Sequence, residues 1–392
     1  MKILYLGYFC SRETFRSIEN AGLSPAPSRQ LFEKSLFDSL VNSEYSDVEL
    51  EIVSYLPRNN KIKGLKTGEY DSEKYIHYIW TSRSNPFEII SANIKVRKLI
   101  KKWLKKTKGE QRIILTYAAN PVLLAFCPAR KQGVKIITIC SEVPAFRNMT
   151  AGNRFINRLK KKVFSYFNDK MDGFIYMSKH MNETCNPFGK PYTVVEGMTT
   201  IIPYIKHENV SGKCERIFYA GGVHVENGID ILLESFNLIK DKNVTLFVCG
   251  EGNAVDLVKK YALNNERIRY LGVLPNEEVR KLEREATLLI NPRKPDKGLT
   301  RYSFPSKTFE YFLSGTACIM TRLDGIPDEF YDYCYTCDVS SAEKLARDIS
   351  HVLSIPKSER EDMAQKAYKF IILKKSPAMQ TKKIIVFLKE LV

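Results

Sequence analysis

Hydrophobic positions along the chain fall into short apolar runs that are separated by longer amphipathic stretches. Strands buried in a parallel sheet form such continuous runs, and helices that cover both faces of the sheet connect them. The predicted strands form two series, 2–9, 49–55, 113–117, 134–140 and 173–177, then 216–222, 244–250, 268–274, 286–292 and 317–322. Two such series predict an α/β protein with two Rossmann-like domains.

A polar, turn-rich stretch, MTTIIPYIKHENVSGK at 198–213, separates the two series. We therefore expect a first domain over 1–198, a linker over 199–213 and a second domain over 214–357. The helical segment 358–392 follows the last strand–helix unit, and we expect it to return to the first domain. No run reaches the roughly 18 apolar residues of a membrane span, and MKILYLGYF is too short for a signal peptide. These features predict a cytoplasmic protein.

The net charge of +17 predicts that the protein binds an anionic partner. NIKVRKLIKKWLKKTKG (93–109) and NRFINRLKKKVFSYF (153–167) each combine a helical apolar stripe with many basic residues. Each fits an ordinary surface helix with its apolar side inward, and each also fits a basic flank that rests on anionic lipid headgroups. Both can hold, because an inward stripe leaves the lysines outside. Neither segment has a recognised nucleic-acid motif, so we do not expect nucleic-acid binding.

Glycines follow three predicted strands of the second series, at the end of the sheet where ligands of parallel sheets bind. They are Gly221 and Gly222, then Gly250 and Gly252, then Gly272. Glycine lets a backbone come close to a phosphate group, and the N-terminus of a following helix attracts anions. Glycine turns are common, so this signal is weak by itself.

FPSKTFEYFLSG (304–315) predicts a short helix, with Pro305 at its first position and Gly315 just past its end. Lys307 in the first turn opposes the helix dipole, and Glu310 lies three residues further on the same face. The simplest interpretation is an exposed glutamate paired with a lysine. The positive charge before and at this helix instead indicates an anionic ligand, and it comes from Arg293, Lys294, Lys297, Arg301 and Lys307.

In order and spacing, these segments resemble the C-terminal domain of the retaining, nucleotide-sugar-dependent GT-B glycosyltransferases of the family-4-like type. The matching segments are Y-A-G-G-V-x-x-E-x-G-I-D at 219–230, C-G-E-G at 249–252, R-I-R-Y-L-G-V-L at 267–274 and F-P-S-K-T-F-E-Y-F-L-S-G at 304–315. The resemblance covers about 110 residues. It implies a GT-B fold in which two Rossmann-like domains face a central cleft, with the acceptor on the first domain.

The resemblance also implies roles for individual residues. Glu310 would hold the ribose hydroxyls of the donor, and Lys307 would lie beside the diphosphate, where its charge is satisfied. The backbone around Gly272 and Val273 would contact the base. The full implied donor site is Gly221, Gly222, Gly250, Gly252, Gly272, Val273, Arg301, Ser306, Lys307 and Glu310.

The chain departs from the family pattern at the phosphate site. The family usually has an arginine after the glycine loop and a lysine five or six residues later, where this chain has Val223 and Asn227. Lys307, Arg301 and Arg293 are the candidate replacements. The family glutamate eight residues before the ribose-binding one corresponds to Tyr302, and Asp296 is the acidic residue upstream of it.

The first domain departs as well. Many family members carry a histidine at the end of a strand near the reacting sugar, but LTYAANP (115–121) has none. Asn120, or Glu142 in CSEVPAF after the next strand, is the candidate catalytic residue. A C-x-x-C pair, Cys334 and Cys337, has no second pair or nearby histidine, so we expect no zinc site.

The function implied is transfer of a sugar from a nucleoside diphosphate sugar to a hydroxyl of a glycan or lipid-linked acceptor, with retention. Synthesis of a bacterial capsule, exopolysaccharide or lipopolysaccharide O-antigen at the inner face of the cell membrane is the expected setting. No D-x-D motif lies between apolar strands, so no metal or other cofactor is expected. A sugar-nucleotide epimerase or phosphorylase of the same fold, or an inactive GT-B scaffold, is the alternative.

Overall fold

The computed structural model describes residues 1–20, 27–41, 47–57, 76–81, 86–117, 127–141, 143, 165–166, 168–204, 214–296, 298 and 300–392. The chain forms two compact units. The first comprises Met1–Thr200 and Pro377–Val392, and the second comprises Ile201–Ser376. Among the described residues, no helix is both long and apolar enough to cross a membrane.

The first unit contains a parallel sheet whose central strands are almost entirely apolar. Its strands are β1 (Lys2–Gly7), β2 (Glu49–Pro57), β3 (Ile76–Thr81), β4 (Arg112–Tyr117), β5 (Lys135–Cys140), β6 (Gly173–Tyr176) and β7 (Tyr192–Val194). They lie in the order β3-β2-β1-β4-β5-β6-β7. Its described helices are Arg12–Asn20, Pro27–Val41, Pro86–Lys106, Cys127–Arg130, Met181–Cys185 and Pro377–Lys389. All five residues that follow Lys2 in β1 are buried, as expected for a central strand.

The last helix belongs to the first unit. The buried Gln380 side chain donates a hydrogen bond to Glu196 at 2.9 Å, and Lys383 donates to the carbonyl oxygen of Val194 at 2.9 Å. The segment 358–392 that the sequence singles out is thus divided: residues up to Ser376 belong to the second unit, and 377–392 belong to the first. The first unit ends at Thr200 rather than at 198, and the described part of the expected linker, 201–204, belongs to the second unit.

The helix Pro86–Lys106 begins seven residues before the first basic segment and contains that segment as far as Lys106. Val96, Ile100, Trp103 and Leu104 are buried, which confirms the inward apolar stripe, while the basic residues from Lys95 to Lys106 are exposed. Of the second basic segment, 153–167, only residues 165 and 166 are described, so this prediction lies almost wholly outside the described residues.

The second unit contains another parallel sheet, with strands β8 (Glu215–Ala220), β9 (Val244–Cys249), β10 (Ile268–Tyr270), β11 (Leu288–Asn291), β12 (Cys318–Thr321) and β13 (Tyr335–Cys337). They lie in the order β10-β9-β8-β11-β12-β13. The helices are Ile229–Leu238, Val255–Asn264, Asn276–Glu285, Lys307–Ser314, Ala342–Ser354 and Lys357–Phe370, and a π-helical turn, Ile371–Lys375, continues the last one. This confirms the prediction of two Rossmann-like domains.

The strand order places a topological switch point between β8 and β11. From β8 the chain builds outward to β9 and β10, then returns to β11 on the other side. Leu288 and Leu289 of β11 pair with Ile217 and Phe218 of β8. Ligands of open α/β sheets bind outside the carboxyl ends of the strands at such a point. The loops after β8 and β11 are therefore the first place to look for a site.

Candidate functional site

The loops after β8, β9 and β10 form one hydrogen-bonded layer at the carboxyl edge of the second sheet. The backbone N–H of Gly221 donates to the carbonyl of Cys249 at 3.1 Å, and that of Gly250 donates to Gly272 at 2.8 Å. The N–H of Val223 donates to the carbonyl of Glu251 at 2.8 Å. All the predicted glycine positions are thus brought together.

Close packing between these loops explains why glycine occupies position 250. Gly250 has a φ of +133°, and a Cβ there would lie 1.8 Å from the carbonyl oxygen of Gly221. No side chain can be accommodated at such a distance from a backbone atom. Gly250 therefore supports the shape of the Gly221–Gly222 loop, whereas Gly222 is exposed.

Val223 and Asn227 stabilise the conformation of the first glycine loop instead of supplying positive charge. Val223 is buried, and its carbonyl accepts a hydrogen bond from the N–H of Ala254 at 2.9 Å. The Asn227 side chain donates to the carbonyl of Gly222 at 2.8 Å, and the hydroxyl of Tyr219 donates to the same oxygen at 2.7 Å. The loop is held without the basic pair that the resemblance predicts.

Lys307 lies between two carboxylates. Its Nζ is 2.5 Å from Glu310 Oε2 and 3.4 Å from Glu283 Oε1. Glu283 belongs to the helix Asn276–Glu285 and is 1% exposed. Burial alone would lower the pKa of Lys307, but the two carboxylates raise it above its usual value. The charge of Lys307 is therefore balanced within the protein.

Glu283 is the residue of this cluster that the sequence analysis missed. Burial raises its pKa to about 7, and the nearby Lys307 opposes that shift. A buried carboxylate is costly unless it is paired, and Lys307 provides the pairing. The helix pattern contains a signal, since Glu283 lies four residues after the buried Val279 and so falls on the apolar face.

Tyr311 fixes the helix Lys307–Ser314 against the switch point. Its buried hydroxyl accepts a hydrogen bond from the N–H of Ala220 at 3.1 Å, and it lies 3.3 Å from the carbonyl oxygen of Ile290. These contacts join the helix to the ends of β8 and β11. Tyr311 therefore fixes the helix that carries Glu310 against the ends of these two strands.

The remaining predicted residues lie at or near the same edge. Arg301 is half-buried in a 3-10 turn, Thr300–Tyr302; Ser306 and Val273 are exposed. Lys294 forms an ion pair with Asp230 in the first turn of the helix Ile229–Leu238, at 2.6 Å. Among the described residues, no group of three or more His, Cys, Asp or Glu side chains is placed to hold a metal ion. Asn120 and Glu142 lie outside the described residues.

Residues 214–354 match the model of the family Glycosyl transferases group 1. This chain carries a group 1 glycosyltransferase domain. The match spans all six strands of the second sheet and includes Glu283, Lys307 and Glu310. It confirms the predicted relationship to the group 1 glycosyltransferases over the second unit.

Several solved structures share the fold of this chain. Sucrose-phosphate synthase from Thermosynechococcus elongatus matches with a TM-score of 0.70 and 12% identity, over 100% of this chain and 99% of that one. Anabaena HepE in complex with UDP matches with a TM-score of 0.67 and 13% identity, over 100% of both chains. The lipopolysaccharide outer core galactosyltransferase WaaB matches with a TM-score of 0.61 and 14% identity, also over 100% of both. No curated protein has a matching sequence.

Proposed function

We propose that this glycosyltransferase moves a sugar from a nucleoside diphosphate sugar to a hydroxyl of a glycan or lipid-linked acceptor, with retention of configuration. The observation that carries the proposal is Glu310, whose carboxylate lies beside Lys307 in the first turn of a helix that Tyr311 fixes at the switch point. A carboxylate placed there can accept two hydrogen bonds from the ribose hydroxyls. The complex of HepE with UDP, a protein of the same fold, supports a nucleotide ligand.

The chemistry requires stabilisation of a leaving nucleoside diphosphate. Negative charge grows on the diphosphate as the bond to the sugar breaks, and fixed N–H groups and cations lower the barrier most when they are already in place. The exposed Gly222 loop and the first turn of the helix Ile229–Leu238 supply N–H groups at the switch point. We assign charge neutralisation to such groups and to arginine, and we propose that transfer needs no divalent ion.

The proposed setting is assembly of a bacterial surface polysaccharide on a membrane-bound acceptor. The likeness in fold to WaaB, a lipopolysaccharide galactosyltransferase, is in keeping with it. One face of the helix Pro86–Lys106 also supports it. Phe87, Ile90 and Ile94 are 81%, 57% and 52% exposed, and exposed Lys98, Lys101 and Lys105 continue the same helical face. We call these six residues the interfacial stripe.

An apolar end followed by lysines on one exposed face is the composition of helices that lie in a membrane interface. The apolar side chains would enter the headgroup region, and the lysines would contact anionic headgroups. The opposite face holds Val96, Ile100 and Trp103 in the core of the first unit, so the helix does not need to detach in order to bind.

We predict that a nucleoside diphosphate stabilises the protein. At a concentration about 100 times the Kd, ligand binding adds about 2.7 kcal/mol to the free energy of unfolding. We expect the melting temperature of the full chain to rise clearly with the sugars and free nucleotides of one base, among UDP, GDP, ADP and CMP sugars and their free nucleotides. Hydrogen exchange should show protection at the loops after β8 and β9. If no nucleotide raises the melting temperature, the proposed function is wrong.

The second candidate function is an inactive scaffold that binds the nucleotide sugar, because the chain lacks basic residues at Val223 and Asn227. Hydrolysis or transfer from the donor that binds separates the two candidates. A scaffold binds the nucleotide sugar without releasing nucleoside diphosphate, whereas an enzyme releases it, and treatment with EDTA should leave that rate unchanged.

We predict that Glu310→Gln weakens donor binding by about 1.5–3 kcal/mol, the range for hydrogen bonds to a charged group. Titration calorimetry measures the loss. A 2′,3′-dideoxy donor should bind the variant and the wild type with similar affinity, because it lacks the hydroxyls that Glu310 would hold. Glu343→Gln, an exposed glutamate in the first turn of the helix Ala342–Ser354, is the matched control. Equal losses for both donors would show that Glu310 acts in another way.

A further inference from the structure

The second unit contains a half-buried arginine, Arg293, whose guanidinium makes no hydrogen bond or ion pair with the residues that the structure describes. Arg293 follows β11 by two residues. Burial lowers the pKa of its guanidinium, and the nearby Tyr219 and Asp296 oppose that shift only in part. A guanidinium has five N–H donors, and donors withdrawn from water without acceptors cost free energy. An anion beside Arg293 would accept hydrogen bonds from these donors.

The other basic residues of the same segment are already engaged. Lys307 is held by Glu283 and Glu310, and Lys294 is held by Asp230 at 2.6 Å. Asp296, the carboxylate that lies nearest to Arg293 along the chain, accepts a hydrogen bond from the N–H of Gly298 at 2.8 Å and so caps its own turn. Lys307, which the sequence analysis places beside the diphosphate, thus has its charge balanced before any ligand binds.

Arg293 also lies close to the first glycine loop. Its charge acts on the hydroxyl of Tyr219, and Tyr219 in turn acts on Arg293. The hydroxyl of Tyr219 donates to the carbonyl of Gly222 at 2.7 Å. The residue before Arg293 contacts the start of the helix Ile229–Leu238, since a Cβ at Gly228 would lie 1.9 Å from the carbonyl oxygen of Pro292. The backbone just before Arg293 is therefore next to the N-terminus of the helix Ile229–Leu238, and the charge of Arg293 acts on Tyr219 beside the first glycine loop.

We propose that Arg293 binds the diphosphate of the donor and replaces the basic pair absent at Val223 and Asn227. The inference rests on the proposed function, since it assigns a ligand group within that site. An arginine fork matches two phosphate oxygens at once and remains charged at any working pH. One guanidinium placed beside the Gly222 loop can thus neutralise charge that grows on the leaving group.

Three variants test the assignment by titration calorimetry with UDP, GDP and ADP and with their nucleosides uridine, guanosine and adenosine. Arg293→Gln removes the charge, and Arg293→Lys keeps the charge but loses the fork. Arg322→Gln is the matched control, because Arg322 also follows a strand directly, after β12, and is exposed.

For the diphosphate that the wild type binds, Arg293→Gln should weaken affinity by about 10- to 100-fold, while its nucleoside should lose less than about threefold. Arg293→Lys should fall between the wild type and Arg293→Gln, and Arg322→Gln should bind as the wild type does. Without ligand, Arg293→Gln should melt no lower than the wild type, because Arg293 makes no hydrogen bond with the residues that the structure describes.

The outcomes that overturn the inference differ from those that overturn the function. Wild-type affinity of Arg293→Gln for the diphosphate, or an equal loss for diphosphate and nucleoside, would show that Arg293 does not contact phosphate, and the function would stand. A lower melting temperature without ligand would show a structural role instead. If the wild type binds none of the three diphosphates, the proposed function fails and the inference fails with it.

Discussion

Replacing Lys98, Lys101 and Lys105 together by Gln should weaken binding to vesicles of anionic lipid by about 100-fold. Each basic residue near an anionic surface contributes about 1 kcal/mol, and three of them contribute about 3 kcal/mol. The three lysines lie on the interfacial stripe, and no ion pair within the described residues engages them. Because salt screens such contacts, wild-type binding should fall steeply as salt rises. Vesicle sedimentation measures both effects.

Lys240, Lys242 and Lys260, three exposed lysines of the second unit, are the matched set. Replacing them by Gln changes the net charge by the same amount but leaves the interfacial stripe intact, so vesicle binding should persist. Nucleotide binding should be unchanged in both triple variants. If the wild type ignores anionic vesicles at low salt, or if both triple variants lose binding equally, the stripe is merely a solvated surface.

The sequence predicts the strands that lie inside each sheet more reliably than those at the edges. β1, β4 and β5 are continuous apolar runs because helices cover both of their faces. β3 escapes prediction because it lies at one edge, and its run is interrupted by His77, whose ring lies 3.2 Å from Glu51 of β2. β7 and β13, also at edges, are three residues long and give little pattern. The edge strand β10 is equally short, but it is predicted because the apolar run 268–274 extends beyond it.

The same distinction applies to the site. The pairing of Lys307 with Glu310 is predictable, because residues three apart on a helix are neighbours. Its third member is not, because Glu283 belongs to another helix that carries several glutamates, and only the folded chain shows which one is buried. That Arg293 forms no ion pair with the described residues is equally a tertiary property, since it depends on which carboxylates already pair with Lys294 and Lys307.

Between about pH 4.5 and pH 7 the second unit should lose stability as the pH rises, and Glu283→Gln should remove this dependence. The ordinary pKa of Glu283 is 4.5 and burial raises it to about 7, so the folded state binds the proton more tightly than the unfolded state. The stabilisation is fully present below about pH 4.5 and is lost as the pH rises through 7. The pKa difference corresponds to roughly 3 kcal/mol, with no large reduction by solvent because the side chain is buried.

Relative to the wild type, Glu283→Gln should therefore gain stability between pH 5 and pH 8. At pH 5 both proteins have a neutral group at position 283. At pH 8 only the wild type has a buried charge there, which Lys307 stabilises and Glu310 repels. Both tryptophans, Trp80 and Trp103, belong to the first unit, so their fluorescence does not report on this change. Hydrogen exchange of amides in β8 and β11, corrected for intrinsic rates, measures it directly.

Glu285→Gln is the matched control, because Glu285 lies in the same turn of the helix but pairs at the surface with Arg216 at 3.3 Å. It should keep the wild-type pH dependence. The same decline in protection for Glu283→Gln as for the wild type would mean that another group titrates. A decline that disappears only in Glu283→Gln would show that Lys307 is held by a carboxylate whose charge is itself set by pH. The ion pair between Lys307 and Glu310, and hence the proposed ribose contact, would then change in strength as Glu283 gains or loses its proton near pH 7.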